Sequence, residues 1–337
     1  MALSAAIYGC EGLSLTEAEK RFFAEVRPWG FIVFARNIES PEQVKRLVGE
    51  MKDAAGHDAP ILIDQEGGRV ARLRPPHWRA YPAGRRFGDL YARSAELGLE
   101  AARLGARLIA AELHALGINV DCLPVLDVPV PGAHDVIGDR AYGLTPEPVI
   151  ALGRAAAEGL LAGGVLPVIK HIPGHGRAGV DSHLSLPVVD SDHATLAATD
   201  FAPFKALADM PLAMTAHVVY TALDGSAPAT TSAKVISGII RQEIGFDGFL
   251  MSDDLSMQAL AGTLAERARA SLSAGCDIVL HCNGKMEEML AVAPEVPALA
   301  GKALARSDAA QARLTSPTPF NESAAVDRLA ELLSHLA

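Results

Sequence analysis

Short runs of apolar residues, each ending in polar residues, recur along the chain. Seven of them lie at positions 30–36, 61–66, 119–127, 166–171, 212–217, 248–254 and 277–282. A further run at 3–9 brings the number to eight. Because these runs are continuously apolar and do not alternate with polar residues, they predict parallel strands that are covered on both faces.

Amphipathic helical patterns separate the predicted strands. Two of them have recognisable starts, at Thr16 with Glu19 and at Ser40 with Gln43, where a hydroxyl can cap a free amide and the later side chain can reach back. Pro41 occupies the first helical position after Ser40. Further helical segments are predicted at 94–116, 146–162, 192–208, 233–244 and 256–274. Strand and helix therefore alternate throughout.

This alternation favours one large barrel over two smaller domains, although a length of 337 residues allows both. No linker rich in Pro or Ser interrupts the chain before about residue 294, and neither half carries a nucleotide-binding glycine motif after its first strand. We predict an α/β fold with a single (β/α)8 TIM-type barrel, so that residues 1–337 form one catalytic domain. Residues 294–337 are expected to be a peripheral tail, with a mobile connection leading to a last helix at 324–336.

Composition and charge narrow the classes of partner. The chain has 30 Lys and Arg against 40 Asp and Glu, a net charge of −10, and no basic run, which argues against a nucleic-acid partner. No apolar run reaches 18 residues, so we predict no membrane-spanning segment. The N-terminus lacks the pattern of a signal peptide, and the four cysteines form no CxxC pair. We therefore expect a cytoplasmic protein with buried thiols and neither disulfides nor a zinc site.

Polar residues at the ends of the predicted strands are the first candidates for a site, because the active site of such a barrel lies at the carboxyl ends of its strands. The candidates are Arg36, Asn37, Asp64, Gln65, Glu66, Asp127, Lys170, His171, His217, Ser252, Asp253, Asp254 and His281.

The richest stretch runs from Lys170 to His183 and contains three His, one Lys and one Asp on a loop with several glycines. Asp181 and His183 are two residues apart, which puts both side chains on the same side of an extended segment. The carboxylate can then hold the imidazole, and the pair can act as an acid and then as a base near neutral pH. The alternative is that these histidines cap helices or fill hydrogen bonds within the loop.

Two further segments carry acids at strand ends. Asp253 and Asp254 are adjacent, so that both cannot face the barrel mouth; one is expected to be functional and the other to cap a helix beginning near Ser256. The segment 64–72 offers the carboxylate of Asp64, a Gly-Gly turn and two guanidinium groups, although a generic acidic turn would also fit.

Together these segments resemble glycoside hydrolase family 3, and specifically its single-domain β-N-acetylglucosaminidases of bacterial cell-wall recycling. The resemblance spans residues 7 to 285 in the order of the family. Its segments are DQEGGRVAR (64–72), PVLDV (124–128), IGDRAYG (137–143), KHIPGHG (170–176), DSH (181–183), TAHV (215–218), GFDGFLMSDDLSM (245–257) and AGCDIVL (274–280). One departure is Ile172, where the family usually has Phe.

The resemblance implies a role for each matching position. Asp253 would be the catalytic nucleophile, and His183 the acid/base assisted by Asp181. Substrate-binding positions carry over to Asp64, Arg72, Arg140, Lys170 and His171, where the two arginines would join a hydrogen-bond network or meet a substrate carboxylate. His175 and His217 would line the site.

The implied enzyme is a retaining exo-β-N-acetylglucosaminidase acting on N-acetylglucosaminyl anhydromuropeptides. We expect it to be a monomer that uses neither cofactor nor metal. A metal-dependent hydrolase is the main alternative, because His171, His175, Asp181, His183 and Asp253 are all ligand types, although no HxH or HExxH pair occurs. A non-catalytic sugar-binding barrel would leave Asp253 and His183 without a task.

Overall fold

Eight parallel strands close into a barrel in the computed structural model, which describes residues 2–336. We number them β1 to β8 in chain order. Their bounds are Ser4–Tyr8, Pro28–Val33, Ile61–Ile63, Val120–Asp121, Leu166–Ile172, Leu212–Thr215, Phe249–Asp254 and Ile278–His281. Each predicted apolar run overlaps one of these strands, and the predicted (β/α)8 barrel is confirmed.

The barrel closes because β1 pairs with β8 on one side and with β2 on the other. Every other strand lies between its two neighbours in sequence. β4 is short, but Val125 beyond it forms a further bridge to Lys170 of β5. All eight carboxyl ends therefore lie at the same end of the barrel.

Both faces of the strands are buried, which explains the continuous apolar runs. Ile32 points into the barrel interior, where the rings of Trp29 and Phe249 lie with their centroids 5.0 Å apart. Phe31 and Val33 point outward and pack in a second layer against the helices. A polar residue at either kind of position would lose its contact with water, so few occur before the strands end.

Helices form the outer layer. The α-helices span Glu17–Val26, Pro41–Ala55, Gly84–Arg93, Ala95–Leu116, Pro146–Ala162, His193–Ala198, Phe201–Ala206, Thr221–Asp224, Leu264–Ala274, Met286–Val292, Gly301–Gln311 and Glu322–Ser334, and a π-helix spans Val235–Glu243. Short 3₁₀ turns lie at Ala35–Asn37, Gly138–Arg140, Ala229–Thr231 and Ala293–Glu295. Two small sheets pair Gln65–Gly67 with Val70–Ala71 and Val188–Val189 with Val219–Tyr220.

The predicted helix starts at Thr16 and Ser40 are confirmed. The Thr16 hydroxyl accepts a hydrogen bond from the Glu19 amide, and the Glu19 carboxylate accepts one from the Thr16 amide. The Ser40 hydroxyl accepts from the Gln43 amide, with Pro41 as the first helical residue. These bonds satisfy amides that the first turn of a helix leaves free.

Two predicted helices differ from those observed. The segment 192–208 forms two helices that are separated at Asp200, whose carboxylate accepts a 2.6 Å hydrogen bond from Arg177. The helix predicted from residue 256 begins only at Leu264, where Thr263 caps it by accepting from the Glu266 amide. The polarity pattern continued through 256–263, but the capping box fixes the true start.

The C-terminal segment packs against the amino-terminal end of the barrel. Its helix Gly301–Gln311, which the sequence pattern did not predict, brings the buried Ser307 within 2.7 Å of the Trp29 indole nitrogen. Arg306 donates a 2.9 Å hydrogen bond to Asp277, just before β8. The prediction of a mobile connection is therefore wrong for this helix, whereas the last helix is present at Glu322–Ser334. That residues 1–337 form a single domain with a peripheral tail from residue 294 stays a prediction.

The four cysteines, Cys10, Cys122, Cys276 and Cys282, are buried free thiols, as predicted. None of the helices within residues 2–336 combines the length and the apolar composition needed to cross a membrane.

The contact between Trp29 and Ser307 gives a stability prediction. Ser307→Ala leaves a buried indole N–H without an acceptor, which should lower the free energy of unfolding by about 1–3 kcal/mol. Urea denaturation measures this loss. Asp308→Ala, at an exposed position of the same helix, is the matched control and should change stability by less than about 0.5 kcal/mol. Equal losses in the two variants would contradict the assigned role of Ser307.

Candidate active site

A cleft of about 410 Å³ opens at the carboxyl ends of the strands. Seven of the eight residues predicted for the site line it. They are Asp64, Arg72, Arg140, Lys170, His171, His183 and Asp253. The eighth, Asp181, is hydrogen-bonded to His183. The structure thus brings together residues that are up to 189 positions apart in the sequence.

The strands place most of these side chains directly. Asp64 follows β3, Lys170 and His171 lie in the last part of β5, and Asp253 is in β7. Arg140 comes from the 3₁₀ turn Gly138–Arg140, in the connection between β4 and the next helix. Because the strands are parallel, their ends converge on one mouth.

A tight turn returns Arg72 to the cleft. The strands Gln65–Gly67 and Val70–Ala71 pair antiparallel around Gly67 and Gly68, whose φ angles are 93° and 56°. A Cβ on Gly67 would lie 2.3 Å from the Pro82 carbonyl oxygen. Only glycine fits both the backbone angle and the space, so this turn depends on the Gly-Gly pair.

Lys170 is the centre of a buried charge network, with only 2% of its surface exposed. Its Nζ lies 2.8 Å from Asp64 Oδ1 and 2.6 Å from Glu66 Oε1. Burial alone would lower the pKa of Lys170, but the two carboxylates outweigh it and raise that pKa above its ordinary value. Lys170 is therefore held as a cation inside the barrel mouth.

The two arginines complete this network. Arg72 donates a 2.8 Å hydrogen bond to Asp64 Oδ2, and Arg140 bonds Glu66 through two nitrogens at 2.9 and 2.8 Å. Burial would raise the pKa of both carboxyl groups, but Lys170 and Arg72 lower that of Asp64, and Arg140 and Lys170 lower that of Glu66. Both acids are therefore ionised, and each arginine is matched by a carboxylate.

Asp127 orients the two histidines of the KHIPGH segment. Its Oδ2 lies 2.7 Å from His171 Nδ1, and its Oδ1 accepts from the His175 amide at 2.6 Å. Burial would raise the pKa of Asp127, but His171 and His175 lower it to about 2. A carboxylate on Nδ1 fixes the ring and leaves Nε2 of His171 as its other polar atom.

Glu66 and Asp127 were among the strand-end candidates, but no role was predicted for them. The sequence signal is the same for both, because each is an acid at the end of a predicted strand. The structure adds that each lies close to a cation or an imidazole in the same barrel mouth.

The predicted pair of Asp181 and His183 is present on the loop after β5. Asp181 Oδ1 lies 2.8 Å from His183 Nδ1 and accepts from the His183 amide at 2.9 Å. Burial would raise the pKa of Asp181, but the bonds from His183 outweigh it and lower that pKa. His183 is exposed and lines the cleft.

Ser182, between these two residues, is buried and anchors the loop. Its hydroxyl lies 3.0 Å from His175 Nε2, and its carbonyl oxygen accepts from the Ala259 amide at 3.2 Å. Burial, with a contribution from His171, lowers the pKa of His175 to about 4, so this ring is neutral at neutral pH. The loop that carries His183 is thus tied both to the KHIPGH segment and to the loop after β7.

The adjacent acids of β7 have different environments. Asp253 faces the cleft and accepts a 2.8 Å hydrogen bond from the Asp254 amide. Burial would raise the pKa of Asp253, but His217 and His171 outweigh it and lower that pKa. Asp254 Oδ1 accepts from the Ser256 and Cys282 amides, both at 3.1 Å. The expected helix cap at Ser256 is therefore wrong, because Asp254 instead closes a turn and holds the end of β8.

His175 and His217 do not line the cleft as predicted. Both are buried behind its wall, where His217 Nδ1 lies 2.7 Å from Thr230 Oγ1 and its Nε2 lies 3.0 Å from the Asp254 carbonyl oxygen. Through these hydrogen bonds His175 and His217 support the segments whose other side chains face the cleft. Within residues 2–336, no three His, Cys, Asp or Glu side chains are grouped as metal ligands.

A second cavity, of about 440 Å³, lies near the amino-terminal end of the barrel. Its charged lining includes Asp247 and Arg306, which are hydrogen-bonded to each other at 3.0 Å. No residue proposed for catalysis or substrate binding lines it, so the carboxyl-end cleft remains the candidate active site.

Comparison with known proteins agrees with this geometry. Residues 14–316 match the glycosyl hydrolase family 3 N-terminal domain. A β-hexosaminidase of Thioalkalivibrio sulfidiphilus is 42% identical over 287 residues, which are 84% of this chain and 82% of that protein. The crystal structure of NagZ from Neisseria gonorrhoeae in complex with N-trifluoroacetyl-D-glucosamine aligns with a TM-score of 0.89 at 34% identity and covers 99% of both chains.

A family 3 β-N-acetylglucosaminidase from Paenibacillus is also similar, with a TM-score of 0.85 at 31% identity over 97% of this chain and 67% of that one. The sequence match, the barrel topology and the charged cleft at the carboxyl ends of the strands all indicate the same family. The chain belongs to glycosyl hydrolase family 3 and is a glycoside hydrolase.

Proposed function

We propose that this enzyme is a retaining exo-acting β-N-acetylglucosaminidase that removes N-acetylglucosamine from peptidoglycan fragments of the anhydromuropeptide type. The β-hexosaminidase and β-N-acetylglucosaminidase names of its relatives support the sugar. The observation that carries the proposal is one cleft lined by both an ionised aspartate, Asp253, and a histidine that is bonded to an aspartate, His183 with Asp181.

Asp253 is the proposed nucleophile. Its depressed pKa keeps it ionised, so that it can stabilise the positive charge that develops on the anomeric carbon. One carboxylate oxygen forms a bond to that carbon as the bond to the leaving oxygen breaks, which gives a covalent glycosyl-aspartate. The hydrogen bond from the Asp254 amide orients the carboxylate without removing its charge.

His183 is the proposed acid/base. With Nδ1 held by Asp181, its Nε2 donates a proton to the departing oxygen, then accepts one from the water that attacks the glycosyl-aspartate. The second displacement regenerates the Asp253 carboxylate and gives a product with retained anomeric configuration. The exposed position of His183 suits a group that must meet first a leaving group and then water.

The charge network of the cleft would bind the sugar. Asp64, Lys170 and His171 face the cleft and offer charged or imidazole partners for hydroxyl groups. Arg72 lines the same cleft, where its Nη2 is bonded to Asp64 and so positions that carboxylate. Every nitrogen of Arg140 that forms a hydrogen bond serves Glu66 or the Val136 carbonyl, so Arg140 would act mainly by holding Glu66.

Residues 1–337 would act as one catalytic domain, as a monomer in the cytoplasm, on a small-molecule substrate. The enzyme would need neither cofactor nor metal, and its net charge of −10 argues against nucleic acid as a partner.

Trapping the covalent intermediate tests the nucleophile. An N-acetylglucosaminyl fluoride with a second fluorine at C5 slows breakdown of the glycosyl-aspartate, because fluorine disfavours the oxocarbenium-like state. Peptide mass mapping should find the label on Asp253, and Asp253→Asn should remain unlabelled. Label on Asp254, or on any other residue, would contradict the assignment.

Leaving-group dependence tests the acid. His183→Ala should lower kcat/KM by about 10²- to 10⁴-fold for a disaccharide substrate, whose leaving oxygen needs a proton. An activated dinitrophenyl glycoside should lose much less, because its leaving group departs unprotonated. Steady-state kinetics on both substrates makes the comparison. Leu184→Ala, at the exposed neighbouring position, is the control, and equal losses of both substrates in His183→Ala would argue against an acid role.

The pH dependence of stability tests the charged state of Asp127. Its pKa is about 2 in the folded protein, against an ordinary 3.8. The ionised form therefore stabilises the fold by about 2 kcal/mol above pH 4, and this contribution is lost as the pH falls toward 2. Asp127→Asn should be less stable than the parent by a gap that narrows below pH 4 in urea denaturation. A gap that stays constant between pH 6 and pH 3 would contradict a charged Asp127.

A further inference from the structure

Asp254 orients the proposed nucleophile through its backbone, and its own position is fixed from two sides. Its amide donates the 2.8 Å hydrogen bond to Asp253 Oδ1. Its carboxylate accepts from the Cys282 amide, which follows β8, at 3.1 Å. Its carbonyl oxygen lies 3.0 Å from Nε2 of His217, which follows β6. Since β6 and β8 are the two neighbours of β7 in the barrel, Asp254 is held between them.

The partner of His217 Nε2 determines where the ring carries its proton. A carbonyl oxygen can only accept a hydrogen bond, so the contact with Asp254 requires an N–H group on Nε2. His217 is fully buried, and burial lowers its pKa, so the ring is neutral at neutral pH. A neutral imidazole carries one proton, which leaves Nδ1 of His217 as an acceptor.

The Thr230 hydroxyl supplies the donor that Nδ1 of His217 needs. Its Oγ1 lies 2.7 Å from that nitrogen, 2.8 Å from Thr215 Oγ1 and 3.1 Å from the Ala216 carbonyl oxygen. A hydroxyl has one proton to donate. When Thr230 donates it to Nδ1, the shortest of the three contacts, its oxygen can accept from Thr215. The hydrogen bonds then run in one direction, from the Thr215 hydroxyl to the ring of His217 and on to Asp254.

These three side chains lie behind the wall of the cleft. Thr215, His217 and Thr230 are all buried, and none of them lines the cleft. Thr230 belongs to the turn Ala229–Thr231, whose first amide donates a 2.8 Å hydrogen bond to the Val218 carbonyl oxygen and so keeps the turn beside the ring. Any effect of these side chains on the reaction therefore passes through the residues that they hold.

We infer that His217 and Thr230 are positioning residues for the nucleophile. Thr230 keeps His217 in the tautomer that donates from Nε2, and this donor holds the backbone of Asp254 in the place from which its amide orients the nucleophile. The other tautomer would turn an unprotonated nitrogen toward a carbonyl oxygen, where the two lone pairs repel each other. The inference rests on the proposed function, because it takes Asp253 as the nucleophile. The pair thus controls the attack by Asp253 and not the proton transfer from His183.

Inactivation kinetics with the difluorinated N-acetylglucosaminyl fluoride tests this role, because binding of the inhibitor and the labelling step are measured separately. Thr230→Val keeps the shape of the side chain but removes the hydroxyl. It should lower the labelling rate constant by roughly tenfold or more and change the binding constant by less than about twofold, since displacing an aligned group slows the step that it aligns. Thr230→Ser keeps the hydroxyl and should label at close to the parental rate. Thr231→Val, in the same turn, is the matched control, because the Thr231 hydroxyl donates to the Pro228 carbonyl oxygen.

A merely structural role gives a different result. General distortion of the cleft would weaken inhibitor binding along with labelling, and this result, or a Thr230→Ser enzyme as slow as Thr230→Val, would overturn the inference. In Thr230→Val the loss of kcat/KM should be equal for the disaccharide and the dinitrophenyl glycoside; a loss confined to the disaccharide would place the effect on His183 and overturn it as well. If the parent enzyme is labelled on a residue other than Asp253, the proposed function fails and this inference with it. Labelling of Asp253 at an unchanged rate in Thr230→Val overturns the inference alone.

NMR of the parent enzyme tests the tautomer without relying on the folding of a variant. In protein with ¹⁵N-labelled histidine, the couplings between ring nitrogens and carbon-bound protons show which nitrogen is protonated, and nuclear Overhauser contacts with Thr230 assign the signals of His217. The expected spectrum at neutral pH is that of a neutral ring protonated on Nε2. A ring protonated on Nδ1, alone or together with Nε2, would overturn the role of Thr230.

Discussion

The buried ammonium group of Lys170 is the interaction on which the arrangement of the cleft depends. An amine taken out of water is unstable as a cation unless carboxylates surround it, and here Asp64 and Glu66 both do so. Those two acids in turn hold Arg72 and Arg140. The network therefore couples β5 to the turn after β3 and to the connection after β4. Removing Asp64 or Glu66 would leave Arg72 or Arg140 without its carboxylate, and removing Lys170 would leave two carboxylates without their shared cation.

Barrel closure extends this local network into a site. The parallel strands bring Asp253 of β7 and the loop of His183 to the same mouth as Lys170, although they are distant in sequence. Behind the wall, Asp127 and His175 connect His171 to Ser182. The proposed sugar-binding residues and the proposed acid/base are thus linked through buried hydrogen bonds, and the proposed chemistry depends on residues that do not themselves contact substrate.

The barrel was predictable because strands that are buried on both faces leave long apolar runs that end at the mouth. Asp64, Lys170, His171 and Asp253 were predictable in position, since they end those runs, whereas Arg72 and Arg140 followed from the family resemblance and the Asp181–His183 pair from its spacing. The ion pairs were not predictable, because whether Arg72 meets Asp64 depends on the path of the loop that carries it. The helix Gly301–Gln311 was missed because its buried face consists of small residues such as Ser307 and Ala310, which give a weak pattern. The late start at Leu264 was missed because the polarity pattern continues upstream of the Thr263 cap.

The proposed reaction is a double displacement through Asp253, with His183 as acid and then base. Proton NMR of the first product formed tests it most directly, because the anomeric signals of free N-acetylglucosamine separate before mutarotation mixes them. A double displacement should release the β-anomer first, and the α-anomer should grow in later. Initial release of the α-anomer would show direct attack by water and would contradict a glycosyl-aspartate intermediate.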